Sequence, residues 1–240
     1  DGAVSAIKSG SEVGGNVTAG GEIPELKNSV VVGDVTTTSG SNGSVTIEGA
    51  TIGGAVDADG AISAIKSESE INGDVTANGN VSSIEGSDVG GDVTTVDGSD
   101  GTVEVESSDI GGAIDADGKI SAIKSESRVA GSVTAGGSID EIKNSELGDS
   151  VTTTDGGNVT VESSTVGGSM TVDGTVSKIK ASSVGGRIEA AEVDQLKGAR
   201  IGGGVTATDG TAKAITIERN NERSVVCGSV ETNGRVEKVK

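Results

Sequence analysis

The feature that most constrains this chain is a sequence that recurs at a constant spacing. The peptide SAIKS stands at residues 5–9, 63–67 and 121–125, inside longer stretches that match in the same register. A recurrence at a fixed period indicates repeated structural units, each packed mainly against its neighbours. The repeat therefore restricts the chain to a stacked or solenoid architecture.

Each period opens at an Asp-Gly pair, at Asp1, Asp59 or Asp117. It contains three shorter units that begin at Gly-containing pairs such as Gly20-Gly21. Each short unit is roughly 17 to 20 residues long, near the lower limit of known solenoid repeats. It reads as a turn, a first strand of the form [VI]-x-x-[IL]-[KE], a second turn and a second strand. We predict that residues 1–240 form a single domain of about twelve units. Residues 208–240 are its divergent end, a longer coil with a loop followed by a half-coil.

Equivalent positions in successive units are apolar throughout. One column contains Val17, Val35, Val56, Val75, Val93, Ile114, Val133, Val151, Met170, Ile188, Val205 and Val230. A second contains Ile7, Leu26, Ile47, Ile65, Ile84, Val105, Ile123, Ile142, Val161, Ile179, Leu196 and Ile217. A stack of hairpins would give similar strand spacing. In a solenoid, by contrast, each coil lies about 4.8 Å above an equivalent coil. Equivalent positions then contact each other, so each column must be homogeneous. The sequence thus predicts an all-β, single-stranded β-solenoid (β-helix) with a three-coil super-repeat.

The composition fits a thin core and excludes several functions. The chain has no Phe, Tyr, Trp or His, whereas 41 residues are Gly. Disorder is disfavoured because Val, Ile and Leu recur in register instead of being scattered. A net charge of −19 and the lack of aromatic residues make nucleic acid an unsuitable partner. No apolar run approaches the roughly 18 residues of a membrane span, so we expect no membrane insertion.

A charged position follows the second column and forms a Lys/Glu ladder. It holds Lys8, Lys27, Glu48, Lys66, Glu85, Glu106, Lys124, Lys143, Glu162, Lys180, Lys197, Glu218 and finally Lys240. Each Glu has a Lys on at least one adjacent rung. We therefore expect pairs across strands that each contribute a few tenths of a kcal/mol.

Two motifs are similar to known ligand-binding patterns. The DADG peptides at 57–60 and 115–118 resemble part of a calcium loop. With Gly118 as the loop glycine, the first and twelfth ligand positions hold Ala113 and Lys124, which favours a turn over a weak bridging cation site. The Thr triplets at 36–38 and 152–154 resemble ice-binding arrays, but acidic residues interrupt the columns. We predict neither a cofactor nor a metal site.

Solenoid enzymes provide a further comparison. Hexapeptide acyltransferases depend on a catalytic His, which this chain lacks, and polysaccharide lyases and hydrolases use carboxylates in an aromatic-lined cleft. Only residues 211–227 break the repeat, and we interpret them as a terminal loop or cap. The sequence therefore predicts a protein that is not an enzyme and has no catalytic residues.

Five residues are candidates for modification. N-x-S/T sequons begin at Asn16, Asn42, Asn80 and Asn158, which would carry glycans if the chain is secreted. Cys227 is the single cysteine, which excludes an intramolecular disulfide. It stands at a corner that is usually Gly, either as a small residue or as the thiol of an intersubunit disulfide.

The units GNVSSIEGSDVGGDVTTVDG and GKISAIKSESRVAGSVTAGG resemble the repeats of the bactofilins, a family of polymer-forming cytoskeletal proteins. The shared pattern is G-x-[VI]-x-x-[IL]-x-x-[ST]-x-[VI]-x-G-x-V-x-[AT], and it covers nearly the whole chain. The resemblance implies a right-handed β-helix that polymerises end to end without nucleotide.

The two ends of the chain lead to a functional hypothesis. Val4 and Ile7 match Val236 and Val239 in repeat position, so stacked subunits would continue the core from one molecule to the next. We predict a structural protein that forms a head-to-tail homopolymer, a filament or cell-surface sheath. The alternative is a monomeric adhesive stalk that binds through a lateral face. Acidity and sequons favour an extracellular or cell-surface location, and a cytoplasmic cytoskeletal location is the alternative.

Overall fold

The structure, a computed structural model, describes residues 2–38, 43–96, 101–209, 215–218, 224–233 and 236–239. The regular structure in these residues is all β. The chain divides into two compact units, Asp1–Gly118 (unit 1) and Lys119–Lys240 (unit 2). Each unit is a β-solenoid of stacked parallel coils, which confirms the predicted fold class. No helix of the described residues is long and apolar enough to cross a membrane.

Unit 1 has three parallel ladders. Each coil after the first contributes one strand to every ladder, and the first coil contributes strands to the second and third ladders only. The first ladder contains β3 (Ile23–Lys27), β6 (Val45–Glu48), β9 (Ile62–Lys66), β12 (Val81–Glu85) and β15 (Val103–Glu106). The second contains β1 (Glu12–Val13), β4 (Val30–Val31), β7 (Thr51–Ile52), β10 (Glu70–Ile71), β13 (Asp88–Val89) and β16 (Asp109–Ile110). The third contains β2 (Val17–Ala19), β5 (Val35–Thr37), β8 (Val56–Ala58), β11 (Val75–Ala77), β14 (Val93–Thr95) and β17 (Ile114–Ala116).

Unit 2 is built in the same way, with two long strands. Its first ladder contains β18 (Ile120–Lys124), β21 (Ile139–Lys143), β24 (Val159–Glu162), β29 (Gln195–Lys197), β32 (Ile215–Glu218) and β35 (Val236–Val239). Its second contains β19 (Arg128–Val129), β22 (Glu146–Leu147), β25 (Thr165–Val166), β27 (Ser183–Val184), β30 (Arg200–Ile201) and β33 (Val225–Val226). Its third contains β20 (Val133–Ala135), β23 (Val151–Thr153), β31 (Val205–Ala207) and β34 (Val230–Thr232). The long strands β26 (Met170–Lys180) and β28 (Ile188–Val193) run from the third ladder towards the first.

The strands pair in parallel with the register that the columns predict. Val17 lies opposite Val35 in the third ladder, and Leu26 lies opposite Ile47 in the first. The sequence pattern indicated two strands per coil, and the structure has three. The additional strand is the two-residue segment that ends at the apolar residue of the second turn, for example Val31, whose burial brings that segment into a ladder of its own.

The core is a narrow stack of aliphatic side chains. In the second coil Ile23, Leu26, Val31 and Val35, which come from all three ladders, are each 0% exposed. Full burial of such a side chain stabilises the fold by roughly 1.5–3 kcal/mol. Because three inward-facing walls meet in so small a cross-section, aliphatic side chains fill it without any aromatic residue.

The corner after the first ladder requires a left-handed backbone. The residue that follows the Lys/Glu position has a positive φ, with values of 47° at Asn28, 51° at Ser163 and 50° at Ala181. Buried serines then close this corner. Ser108 Oγ donates a hydrogen bond of 2.8 Å to the carbonyl of Glu106, and in the same column Ser87 is also buried. Ser108 therefore satisfies a polar group of this corner inside the fold, whereas the buried hydroxyl of Ser29 in the same column has no hydrogen-bond partner among the described residues.

The corner between the second and third ladders joins adjacent coils through side chains. The backbone N–H of Asp34 donates to Asn16 Oδ1 at 3.0 Å, and that of Ala113 donates to Asp92 Oδ1 at 2.7 Å. A Cβ on Gly112 would lie 2.1 Å from Asp92 Oδ1. The recurring Gly-Gly at this corner is thus required, because the side chain of one coil lies against the glycine backbone of the next coil and leaves no room for a Cβ.

The third corner explains why the repeat spans three coils. Thr95 is buried, and its hydroxyl donates to the carbonyl of Gly101 at 3.1 Å and accepts from the N–H of Asp117 at 3.0 Å. Thr37 and Thr153, one period before and one period after it, make the same pair of bonds. These threonines hold the longer corner of every third coil. In the Thr triplets the central residue is therefore an internal structural residue.

The first ladder also changes every third coil. The four-residue strands β6 and β15 pair with five-residue strands, and the register shifts at each such pairing. The shift is a β-bulge, which accommodates one extra residue without ending the ladder. Strand length and corner length therefore vary together over three coils.

We expect Ala181→Gly to raise the free energy of unfolding, although the change removes a methyl group. An L-residue in the left-handed region costs about 1–2 kcal/mol, and Gly avoids this cost at some loss of chain entropy. Urea denaturation measures the difference. Ala190→Gly is the matched control, because Ala190 is a buried strand residue, and it should be destabilising. A lower midpoint for Ala181→Gly would contradict the account of this corner.

Thr153→Val should destabilise the protein by about 1–3 kcal/mol, because the carbonyl of Gly157 and the N–H of Asp173 lose a buried partner. Thr152→Val on the same strand makes the same chemical change at a less buried, outward position and should have little effect. Chemical denaturation of both variants tests this. Equal destabilisation would mean that the hydroxyl of Thr153 is not what holds the corner.

Candidate functional site

The first coil of unit 1 presents a partly exposed apolar rung. Val4, Ile7 and Val13 are half-buried, whereas Ile23 and Leu26 in the next coil are fully buried. Thus the two predicted interface residues of this coil lie together on one rung, and Val13 of the second ladder extends it.

Backbone bonds fix the orientation of this rung. The N–H of Val4 donates to Glu22 O at 3.1 Å, and the N–H of Ile7 donates to Glu25 O at 2.9 Å. Ile7 also forms a parallel bridge with Leu26. Each bond joins the first coil to the second. The first coil is therefore held by the same parallel pairing that joins the interior coils of the unit.

The other two predicted interface residues lie in unit 2. Val236 and Val239 belong to β35, which pairs in parallel with β32 so that Val239 lies opposite Ile217. In the preceding coil Val225 is 40% exposed and Val230 is 36% exposed. Both predicted positions therefore occupy the first ladder of the unit, as their repeat position indicated.

The Lys/Glu ladder forms ion pairs, although not on every rung. Lys27 Nζ lies 2.8 Å from Glu48 Oε1, and this hydrogen bond raises the pKa of Lys27 and lowers the pKa of Glu48. Lys8 instead contacts Glu25 at 2.7 Å, on the adjacent coil but outside the ladder column. Lys124 lies opposite Lys143, a like-charge neighbour. The ladder is thus a set of local pairs, not a continuous alternation.

Glu162 is a largely enclosed acid of this ladder, with a side chain that is 19% exposed. Lys178 donates a hydrogen bond to it, and Lys180 Nζ lies 3.8 Å from its second carboxylate oxygen. The bond from Lys178 holds the pKa of Glu162 below its usual value of 4.5, against the opposing effect of partial burial. The charged form of this carboxylate therefore contributes to the folded state.

Three of the four sequon asparagines lie in the described residues, and all three have structural roles. Asn16 and Asn158 are exposed, and Asn80 is half-buried. Asn80 Oδ1 accepts from the N–H of Thr102 at 2.9 Å, and Asn158 Oδ1 accepts from Thr175 at 2.7 Å. Each asparagine side chain thus accepts a hydrogen bond from the backbone of the next coil, as Asn16 does. Asn42 lies outside the described residues.

The remaining predicted positions show ordinary corner chemistry. Cys227 has a free, exposed thiol. Its backbone N–H donates a hydrogen bond to the carbonyl of Ile201 at 3.0 Å. Asp59, from one DADG peptide, accepts a hydrogen bond from Asn78 Nδ2 at 2.9 Å. Among the described residues, no group of three His, Cys, Asp or Glu side chains is placed to hold a metal ion. In the predicted terminal loop, residues 211–214 and 219–223 lie outside the described residues.

One shallow groove of about 450 Å³ lies in unit 2, where β26 and β28 run straight through the third corner. Thr171, Glu189 and Thr208 line it beside Asp155. Glu189 is engaged by Arg187 at 3.1 Å. Thr208 Oγ1 donates to the carbonyl of Ala190 on the preceding coil at 3.2 Å. The groove is therefore a gap left by the missing corner, in which both of these polar side chains already have partners.

Comparison with known proteins gives no match: no family model, no curated protein and no solved structure is similar to this chain. The resemblance to the bactofilins accordingly rests on the quoted repeat pattern alone. What the geometry itself offers is a set of stacking surfaces, namely the apolar rung of the first coil and the lateral faces.

The side chains that join coils at the corners were not predicted from the sequence. Asp34, Asp92 and Thr95 look like variable polar residues in a single unit. Their signal is positional: the first two precede the apolar third-ladder column, and Thr95 recurs one period away in each direction as Thr37 and Thr153. Aligning the polar columns in the same way as the apolar columns would have found them.

Glu162→Gln should destabilise the protein at pH 7 by about 0.5–1 kcal/mol, the range of an ion pair near the surface. Because the folded pKa of Glu162 is lowered, its contribution is complete above 4.5 and disappears as the pH falls through the lowered value. The difference between the two proteins should therefore vanish towards pH 2 in chemical denaturation.

Glu146→Gln is the control, because its pair with Arg128 is 61–65% exposed, and it should have almost no effect at either pH. A difference between Glu162→Gln and the unsubstituted protein that stays constant from pH 7 to pH 2 would overturn this assignment.

Proposed function

We propose that this protein is a structural subunit that assembles head to tail into a β-solenoid filament or sheath, without nucleotide or cofactor. The observation that carries the proposal is the half-buried apolar rung of Val4, Ile7 and Val13 on the first coil. A second copy that places a coil there would bury it in the way that Ile23 and Leu26 are buried within the chain.

Parallel pairing supports the polarity of the assembly. Within each unit every described ladder is parallel, so a coil presents one edge to the coil before it and the opposite edge to the coil after it. Two copies joined head to tail continue this pattern, with Val4 and Ile7 following Val236 and Val239. Two copies joined head to head would bring antiparallel strands together, which no described coil of either unit does.

The burial of this rung is comparable in free energy to the cost of association. Burying an exposed Val or Ile side chain contributes at most roughly 1.5–3 kcal/mol. A rung with three such side chains, together with backbone hydrogen bonds, offsets much of the cost of immobilising a partner. The resemblance of the repeats to the bactofilins, which are polymer-forming proteins, supports the same proposal.

The alternative is a monomeric binding stalk that uses a lateral face. The exposed side chains of Val30 and Val32, at 42% and 54%, favour it because they lie on such a face and not on the terminal rung. A cell-surface location fits either function through the acidic surface and the exposed Asn16 and Asn158, and a cytoskeletal location fits the filament alone.

Negative-stain electron microscopy tests the filament. We expect unbranched filaments from the purified chain, and Ile7→Lys should abolish them because a charge would enter the stacked core. Ser5→Lys adds the same charge at an exposed position of the same coil and should leave the filaments intact. Isolated particles at all protein and salt concentrations would exclude the filament, and filaments that persist in Ile7→Lys would place the contact elsewhere.

A further inference from the structure

We infer that copies of this protein also bind side by side, with the second-ladder face of unit 1 against the second-ladder face of unit 2 of a neighbouring copy. This inference rests on the proposed function and deepens it. It names the surface that would join neighbouring filaments into a sheath.

The two units differ sharply in charge. Unit 1 contains 21 acidic and 3 basic residues, a net charge of −18, whereas unit 2 contains 16 acidic and 15 basic residues, a net charge of −1. The repulsion between two neighbouring units scales with the product of their net charges. This product is 324 for unit 1 beside unit 1 and 18 for unit 1 beside unit 2. Repulsion therefore disfavours neighbours in register and selects contacts between unlike units.

The second-ladder face of unit 1 carries a straight acidic column. Glu70, Asp88 and Asp109 occupy successive rungs in register, and all three are exposed. The three basic residues of unit 1, Lys8 and its two equivalents on the Lys/Glu ladder, lie on another face. The six strands of this second ladder in unit 1 themselves contain no basic residue.

The same face of unit 2 carries arginines. Arg128 and Arg200 are exposed at the outward positions of β19 and β30. Arg128 contacts Glu146 on the next rung at 3.2 Å, and a guanidinium group has further donors for a second carboxylate. Its planar fork of donors suits such contacts. The two faces are thus complementary in charge, although they occupy equivalent positions of the repeat.

Exposed valines occur on the same two faces. Val30 in β4 is 42% exposed and Val225 in β33 is 40% exposed, both at outward positions of the second ladder. A face made of parallel, in-register strands presents its outward side chains at a regular spacing, so a second such face can lie along it. Charge pairs with apolar contacts beside them are the composition of a specific interface. A second copy of this chain carries both the acidic face and the arginine face, so it is the binding partner of the inference.

The test uses the full chain with Ile7→Lys, so that end-to-end assembly does not contribute. Dimer formation is measured by analytical ultracentrifugation at about 0.1 M salt, where the Debye length is about 10 Å. At this salt concentration close charge pairs still attract each other, whereas the repulsion between distant acidic groups is screened. We expect a dimer that dissociates at about 0.5 M salt.

Charge reversal identifies the faces. Arg128→Glu with Arg200→Glu should raise the dimer Kd by about tenfold or more. Lys143→Glu with Lys197→Glu changes the net charge equally on the first-ladder face and should change the Kd far less. Glu70→Arg with Asp88→Arg should also prevent dimers. An equimolar mixture of the two second-ladder variants should restore them, because each then finds a complementary face.

Each outcome separates this inference from the filament. A chain that remains monomeric at about 0.1 M salt, or a mixture that does not restore dimers, overturns the lateral contact even where the unsubstituted chain forms filaments. Dimers of the Ile7→Lys chain with the expected rescue support the lateral contact even where no filament forms.

Discussion

Parallel, in-register pairing between equivalent positions is the interaction on which this structure depends. Each coil lies on a coil with similar inward residues, so along the two apolar columns one apolar side chain meets another and the ladders continue from rung to rung. This constraint makes the apolar columns homogeneous and keeps the core thin. It also leaves the outward positions free to vary, because they contact solvent and not the next layer of a core.

The corners carry most of the remaining specificity. A left-handed residue after the first ladder, a crossing Asp or Asn at the second corner and a buried Thr at every third coil each satisfy backbone groups of an adjacent coil. The turn-forming residues of the sequence are therefore inter-coil contacts as much as local turns. Several polar residues that resemble functional motifs, including the central Thr of each Thr triplet and the three described sequon asparagines, are explained by this geometry.

The proposed function uses the surfaces of the coils and not a cleft. Within the described residues the polar side chains bond largely to their own or adjacent coils, and the concave feature in unit 2 is shallow. What distinguishes one face from another is the sign of its charges and a few exposed valines. The same parallel stacking that builds the coils also repeats surface positions at a regular spacing.

The sequence by itself determined the β-solenoid class, the inward columns and the placement of Val4 and Ile7 on one rung, because inward positions must be apolar at each repeat. Only the tertiary structure decided that each coil has three strands. A two-residue segment such as Val30–Val31 has no strand signal of its own and becomes a strand by pairing with its neighbours. The roles of Asp92 and Thr95 were likewise invisible in a single unit, because their partners lie a full coil away along the chain.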